Sequence, residues 1–344
     1  MPTNLFTTRQ LIQALGAMDR PTAALRDRFF GRRHFSTTEE IAFDKLKRRR
    51  KMAPYVSPHV PGTIRELRGR QVQTFIAPYL KPKAAIKPDV ALVRAHGEEF
   101  GAPLTPAQRY NETVVQTLAD QDDEITRREE AQCFEVLTTG SVVVSGDGAD
   151  AYTVNYARDA ALTLGLSGVS RWGESGVDIR NTLSGWATTV AQKSGGTVTQ
   201  VVMGASAAEI LTGDADIREI LDNRRQATGQ MEMGPQNVGA DDNPMVYLGS
   251  IGQFDFHLYN GSYDDEDGNN ATYLDEHGVI LVAPNAFEGM MAYGAIQDKK
   301  ALQAMSRFPK MWEQEDPSLE FLMTQAAPLA VPSDINAAMY VEVR

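Results

Sequence analysis

A single cysteine, Cys133, stands among the 344 residues. That excludes an internal disulfide and any thiolate-built zinc site, and it is compatible with a reducing compartment. Histidine is also scarce: the five, at 34, 59, 96, 257 and 277, are scattered, and no pair has ligand spacing. No apolar run approaches the roughly 20 residues of a membrane span. The opening MPTNLFTTRQLIQALG lacks the charged-then-apolar layout of a secretory signal. It reads instead as a short amphipathic helix with Thr8 as its cap. The chain contains no internal repeat and no low-complexity segment.

Charge is abundant and unevenly placed. The formal net charge is −11, yet residues 1–100 hold 19 Lys/Arg against 9 Asp/Glu, while the remainder holds 15 against 36. A basic first third and an acidic remainder suit head-to-tail attraction between copies, whereas a dedicated nucleic-acid binder is more often basic overall. Two solvated surfaces of opposite sign would also account for the numbers. The most basic stretch, KLKRRRK, places Lys45, Lys47, Arg48, Arg49, Arg50 and Lys51 just ahead of prolines at 54, 58 and 61.

Six of the 17 prolines fall between 54 and 88, which argues against a central sheet strand and for an extended ribbon there. Such a ribbon is marginal alone in water, so it needs a surface to lie on. The clearest single element follows. TPAQ supplies a Thr105 cap, a proline at the first helical position and Gln108 to close a capping box. No glycine or proline then appears until Gly140. The spacing predicts a helix about 50 Å long at about 1.5 Å per residue. Its apolar positions are sparse and its middle, ADQDDEITRREEAQ, is polar, as in a strut along a surface.

Beyond it, SVVVSGDGADAYTVNY (141–156) predicts a hairpin turning at 146–148. Ile179, Leu183, Trp186 and Val190 fall at helical spacing, and residues 206–225 also read as helix. Strands are predicted at 197–204, 254–258, 279–284, 290–296, 320–331 and 337–344. Three chemical-looking matches have ordinary explanations. Ser206 in MGASAAE sits at a strand-to-helix turn, but Ala208 replaces the elbow's last glycine, and Ser206 with Glu209 would form a capping box. GSYDDEDGNN (261–270) would need Tyr263 and Leu274 as calcium ligands, which neither can be. GDGADA (146–151) opens no helix, so it is a turn. No catalytic set, metal cluster or phosphate loop emerges, and no cofactor is implied.

The order of arm, proline-punctuated loop, strut, compact α/β region and closing strands resembles the α+β Hong Kong 97 phage capsid fold. Local blocks sharpen the likeness. YVSPHVPG (55–62), APYLKPKAAIKP (77–88), YGAIQD (293–298) and RFPKMWEQEDPSLEFLMTQAAPL (307–329) resemble the lambda-type phage major capsid protein family. The last block carries Arg307, Phe308, Pro309, Lys310, Trp312, Pro317, Glu320, Phe321, Gln325, Ala327, Pro328 and Leu329 at the family's spacing.

The resemblance implies an N-terminal arm (1–45), an extended E-loop region (46–100), and a spine helix with a peripheral-domain hairpin (101–170). An axial domain (171–305) and C-terminal return strands (306–344) complete it. It further implies pentamers and hexamers in an icosahedral shell of a tailed double-stranded DNA phage, with triangulation number seven. The expected partners are a scaffolding protein encoded separately, a portal, a decoration protein and packaged DNA, with no membrane. Assembly would take place in the host cytoplasm and the product would reside in the virion.

Loop contacts to a neighbour are expected from Tyr55, Val56, Phe75 and Tyr79. The family member compared is not strongly basic at KLKRRRK, so that run is particular to this chain. It is expected to meet acidic surface of an adjacent subunit, on the strut at Asp120, Asp122, Asp123, Glu124, Glu129 and Glu130, or else to face packaged DNA or to be a merely solvated stretch. The alternatives are a cellular nanocompartment shell of the same fold, a serine hydrolase using Ser206, and a DNA-binding oligomer.

Overall fold

The computed structural model describes residues 6–18, 22–38, 40–45, 52–53, 55, 57–59, 71–93, 104–146, 149–214, 217, 236–237, 243–265, 268–301, 304–316 and 318–344. In chain order the N-terminal part runs α1 (Thr8–Ala17), α2 (Ala24–Phe29), β1 (Arg32–Phe35), β2 (Glu40–Lys45), β3 (Gln71–Ile76), β4 (Lys83–Ile86) and α3 (Pro106–Thr139). The middle holds β5 (Ser141–Gly146), β6 (Ala149–Asn155), β7 (Thr163–Gly165), α4 (Ile179–Ser194), β8 (Gln200–Met203) and α5 (Ala205–Gly213). Next come β9 (Gln236–Asn237), β10 (Met245–Ile251), β11 (Phe254–Tyr259), β12 (Ser262–Asp264), β13 (Asn270–Thr272), β14 (Gly278–Val282) and β15 (Met290–Tyr293). The closing strands are β16 (Phe308–Gln314), β17 (Leu319–Gln325), β18 (Pro328–Val331) and β19 (Ala338–Glu342).

Local chemistry accounts for the helix ends. At α1 the cap is Thr7, one residue ahead of the expected Thr8: its hydroxyl accepts the Gln10 N–H while Gln10 reaches back to the Thr7 N–H. Thr105 and Gln108 form the same reciprocal pair at α3, with Pro106 as the first helical residue. The 34-residue α3 stops at Gly140, whose φ of 77° lies in the left-handed region where glycine is free of strain. Arg158 closes that end, its guanidinium donating to the Leu137 and Thr138 carbonyls. A cation is favourable there, beside the orphan carbonyls at the negative end of the helix.

The centre is a seven-stranded sheet in the order β7-β19-β14-β8-β11-β10-β9. Its inner strands are apolar on both faces, with Val201, Val202, Met203 and all of Val279–Val282 fully buried. Helices α4 and α5 pack on this region, and the predicted stripe Ile179, Leu183, Trp186 and Val190 is the buried face of α4. A second sheet, β1-β15-β18, pairs the arm's β1 in parallel with β15. A third, β16-β17-β4, brings Lys83–Ile86 from the proline-punctuated stretch onto the terminal block. The segment 306–344 therefore feeds three different sheets.

Two-stranded ribbons complete the described chain. β2 and β3 pair antiparallel from Glu40↔Ile76 to Lys45↔Gln71. β5 and β6 form the expected hairpin, whose turn at 147–148 lies outside the described residues. β12 and β13 form the acidic hairpin, where the Asn269 N–H donates to the Asp265 carboxylate, and Asp267 lies outside the described residues. No helix among the described residues is long and apolar enough to cross a membrane.

Candidate functional site

The expected strut is not a bare strut. Helix α3 crosses the molecule against α2, β17, β18 and β19. Its buried face is a continuous stripe in which Val114, Leu118, Ile125, Phe134 and Leu137 alternate with Gln121, Asp122, Thr126, Glu129 and Glu130. Buried polar groups cost free energy unless each finds a partner; these five find one, whereas the Oε1 of Gln132, also buried on α3, does not. Gln121 donates to the Leu322 carbonyl at 3.0 Å and accepts the Thr324 hydroxyl at 2.8 Å, stitching α3 to β17.

Arg307 is the hub of the charged part. Its Nε donates to Asp122 at 2.5 Å, its Nη1 to Glu129 at 2.6 Å and its Nη2 to the Thr126 hydroxyl at 3.1 Å. Arg26 reaches the other oxygen of Glu129 at 2.8 Å, and the Tyr293 hydroxyl donates to Glu129 at 3.2 Å. Two guanidinium forks thus flank one carboxylate that is fully buried. Burial alone would lower the pKa of both arginines, but Glu129 with Asp122 or Asp27 overcomes it and holds each above its ordinary value.

The next residue, Glu130, faces the arm. Its two oxygens accept the backbone N–H groups of Leu25 and Arg26 at 2.8 and 2.9 Å, and the Tyr259 hydroxyl donates at 3.0 Å. Burial pushes this carboxyl up to about 7, against the pull of those donors and of Arg26.

The expected acidic partner face is therefore corrected in part. Asp122, Glu129 and Glu130 point inward and are engaged by their own chain, because Arg26 and Arg307 come from distant segments to meet them. Asp120 and Glu124 remain exposed and Asp123 is half-buried, where it pairs with Arg127 at 3.7 Å.

The sequence blocks that carried the resemblance converge at a second cluster. The Tyr79 hydroxyl donates to Gln325 at 2.6 Å and accepts the Gln297 N–H at 3.1 Å. Asp298 takes Lys310 at 2.7 Å and Gln325 at 3.2 Å. APYL, YGAIQD and RFPK–TQ are thus bonded to one another within the subunit.

Of the loop positions expected to contact a neighbour, Tyr79 is engaged in this cluster. Phe75 packs edge-on against Tyr156 with ring centroids 5.5 Å apart. Tyr55 is fully exposed. Val56, Lys47, Arg48, Arg49, Arg50 and Lys51 lie outside the described residues, and Lys45 closes β2.

Ser206 makes no capping box. Gly204 is the α5 N-cap, the Glu276 carbonyl accepts the Ala207 N–H at 2.9 Å, and the Ser206 hydroxyl donates to the Glu276 carboxylate at 3.2 Å. Among the described residues no histidine bonds Ser206, and no group of three His, Cys, Asp or Glu is placed to hold a metal.

The profile of the family described as phage major capsid protein E matches residues 7–343. The chain belongs to that family. Its function is that of a major capsid protein of a tailed phage, and its place is the virion shell. The major capsid protein of Enterobacteria phage P21 is 30% identical over 345 residues, covering 99% of both chains. That of Escherichia phage lambda is 26% identical over 348 residues at the same coverage. Among solved structures, the putative capsid protein of a prophage of E. coli CFT073 superposes with a TM-score of 0.76 at 22% identity. It covers 99% of this chain and 100% of its own. The α+β architecture is thus the Hong Kong 97-like fold of phage capsid proteins, and a phage coat is favoured over a cellular nanocompartment. The family is a structural one, in keeping with a Ser206 hydroxyl that serves a carboxylate contact.

Proposed function

We propose that this capsid protein closes an icosahedral shell as pentamers and hexamers, in which the 46–70 stretch of each subunit lies across the next. The observation that carries the reading is the β2–β3 ribbon. Its six residue pairs, from Glu40↔Ile76 to Lys45↔Gln71, bracket that stretch, and Tyr55 within it is fully exposed. The base of the ribbon rests on its own subunit, where Ile41 is buried and Phe75 packs on Tyr156; a ribbon of two strands gains little stability alone, and a neighbour's surface supports the stretch beyond that base. Obligate contacts of this kind bury about 2,000–5,000 Å² or more, and a heterologous contact repeated by rotation closes rings.

In this reading assembly begins in the host cytoplasm as a rounded procapsid on a scaffolding protein around a portal. Packaging of double-stranded DNA then expands the shell and exposes sites for a decoration protein. The basic run Lys45, Lys47, Arg48, Arg49, Arg50 and Lys51 meets the outward acids of a neighbouring α3, now narrowed to Asp120, Asp123 and Glu124. Electron microscopy of the overexpressed chain, alone and with its scaffolding protein, tests the proposal. Closed shells or tubes of one polypeptide are expected. Small soluble oligomers in both conditions would overturn it.

A further inference from the structure

The seven-stranded sheet carries two features toward its opposite edges that the assembly reading leaves unused. On the β10–β11 side, α4 and the turn between these strands enclose an open cleft of about 430 Å³. Ser184, Ala187 and Thr188 form its helical wall, and Ile251, Phe254 and Phe256 face them from the strands. The wall side chains on α4 are small, which leaves the hollow open. It is roomier than one side chain needs, so it admits the tip of a turn.

At the other edge, β7 pairs with β19 alone among the described residues, and its three residues are exposed. The chain then passes through a tight turn, Gly168–Ser170, at which Val169 is 88% exposed. This turn is firmly built. The Ser170 hydroxyl and backbone N–H both donate to the Ser167 carbonyl, and Gly168 takes a φ of 59° that a side chain would resist. Three residues past Val169, Trp172 is fully buried, donates its backbone N–H to the Val343 carbonyl and stacks on Trp186 of α4 with ring centroids 5.8 Å apart. A single exposed valine is ordinary. Here it is held out on an anchored turn, across the sheet from an apolar hollow. Trp186 and Ser184 point about 200° apart around α4 at 3.6 residues per turn. The flank that anchors the turn therefore faces away from the flank that walls the cleft, and a subunit does not present Val169 to its own hollow.

We infer that Val169 of one copy seats in the α4 cleft of the next, and that this contact closes the pentamer and hexamer rings. The inference rests on the shell reading above and names the surfaces that meet in it. A knob and a hollow on opposite sides of one sheet make a heterologous contact, in which each copy gives one and receives the other. Repeated by rotation, such a contact closes a ring. A second copy is the occupant because copies of the chain are what a capsid subunit meets at its lateral edges, and because knob and hollow belong to the same sheet.

Cysteine pairs test it, since the native Cys133 is buried and out of reach. In assembled particles, Val169→Cys with Thr188→Cys in one chain should be joined by a short bismaleimide into a covalent ladder ending at pentamers and hexamers. Each variant alone should stay unlinked, and a mixture of the two single variants should stop at dimers. Val169→Asp should weaken subunit association at least about tenfold, roughly the worth of one buried valine side chain. The isolated subunit should melt as the parent does, because Val169 lies outside its own core, and Val169→Leu should still assemble. Links confined to one chain, links between two Val169→Cys positions, or Thr188→Cys joining Tyr55→Cys instead would overturn the pairing, as would Val169→Asp shells at parental yield. Shells without links refute this contact and leave the shell reading standing. Links in oligomers that never close refute the shell and keep the contact, and the absence of both refutes both.

Discussion

Arg307 and Glu129 lie 2.6 Å apart with almost no solvent between either and the interior. This one contact ties the terminal block to α3, and through the other oxygen of Glu129 it reaches Arg26 in the arm. A buried pair of this kind is worth little more than well-packed apolar groups, but removing one partner leaves the other charge stranded.

Replacing Arg307 therefore reads out that stranding. Arg307→Met should cost about 3–5 kcal/mol in equilibrium unfolding, because Asp122 loses its guanidinium partner while Glu129 keeps Arg26 and the Tyr293 hydroxyl. Arg307→Lys should recover little of this, since a single ammonium cannot span Asp122, Thr126 and Glu129 as the fork does. A lysine variant as stable as the parent would show that charge alone matters here.

A paired titration gives the second expectation. Burial, reinforced by the charge of Arg28, pushes the His257 imidazole down to about 4 from 6.5, whereas burial lifts Glu130 to about 7 from 4.5. Between pH 4 and 6.5 the unfolded chain binds a proton at His257 that the folded chain does not, so this residue makes stability rise with pH. Between 4.5 and 7 the folded chain holds a proton at Glu130 that the unfolded chain has lost, so this one makes stability fall. From 4.5 to 6.5 the two nearly cancel. His257→Phe should unmask a decline approaching 1.4 kcal/mol per pH unit, and Glu130→Gln a rise of about the same size. Identical pH slopes in both variants would refute the assignment.

Gly289 carries a steric prediction about the arm. A Cβ at this position would lie 2.5 Å from the Phe29 carbonyl oxygen and 2.7 Å from the Phe30 ring. Gly289→Ala should destabilise by about 1–3 kcal/mol, the range for forcing atoms into a filled site. The loss should concentrate in increased exchange at 24–30 rather than in the seven-stranded sheet. Uniform loosening of both regions would mean that Gly289 does not specifically support α2.

These elements show where a sequence is legible and where it is not. The ends of α3 follow from Thr105, Pro106, Gln108 and Gly140 because capping is local, and the face of α4 follows from residues three and four apart. The role of the α3 middle does not. Asp122, Glu129 and Glu130 look solvated because their partners, Arg26 and Arg307, lie about 100 or more residues away in sequence. One signal was present: 122, 126, 129 and 133 continue the helical stripe of Val114, Leu118 and Ile125, so polar residues occupied a buried face. Ser206 misled for a similar reason, since the group that caps α5 is a distant backbone carbonyl of Glu276 and not the local Glu209.

The basic run separates two uses of charge. Arg48→Glu, Arg49→Glu and Arg50→Glu together should impair shell formation more than DNA retention if these residues meet the outward acids of a neighbouring α3. Exposed ion pairs are individually weak, about 0–1 kcal/mol each, but a shell repeats the contact at every subunit, so a reversed patch repels wherever two subunits meet. Reversing Asp120, Asp123 and Glu124 to lysine in the same chain should then restore assembly, because complementarity returns with the signs exchanged. Rescue is the discriminating result, for DNA repelled by three glutamates gains nothing from lysines placed on α3. Normal shells that lose their DNA, with no rescue by the second set, would assign the run to the packaged genome instead.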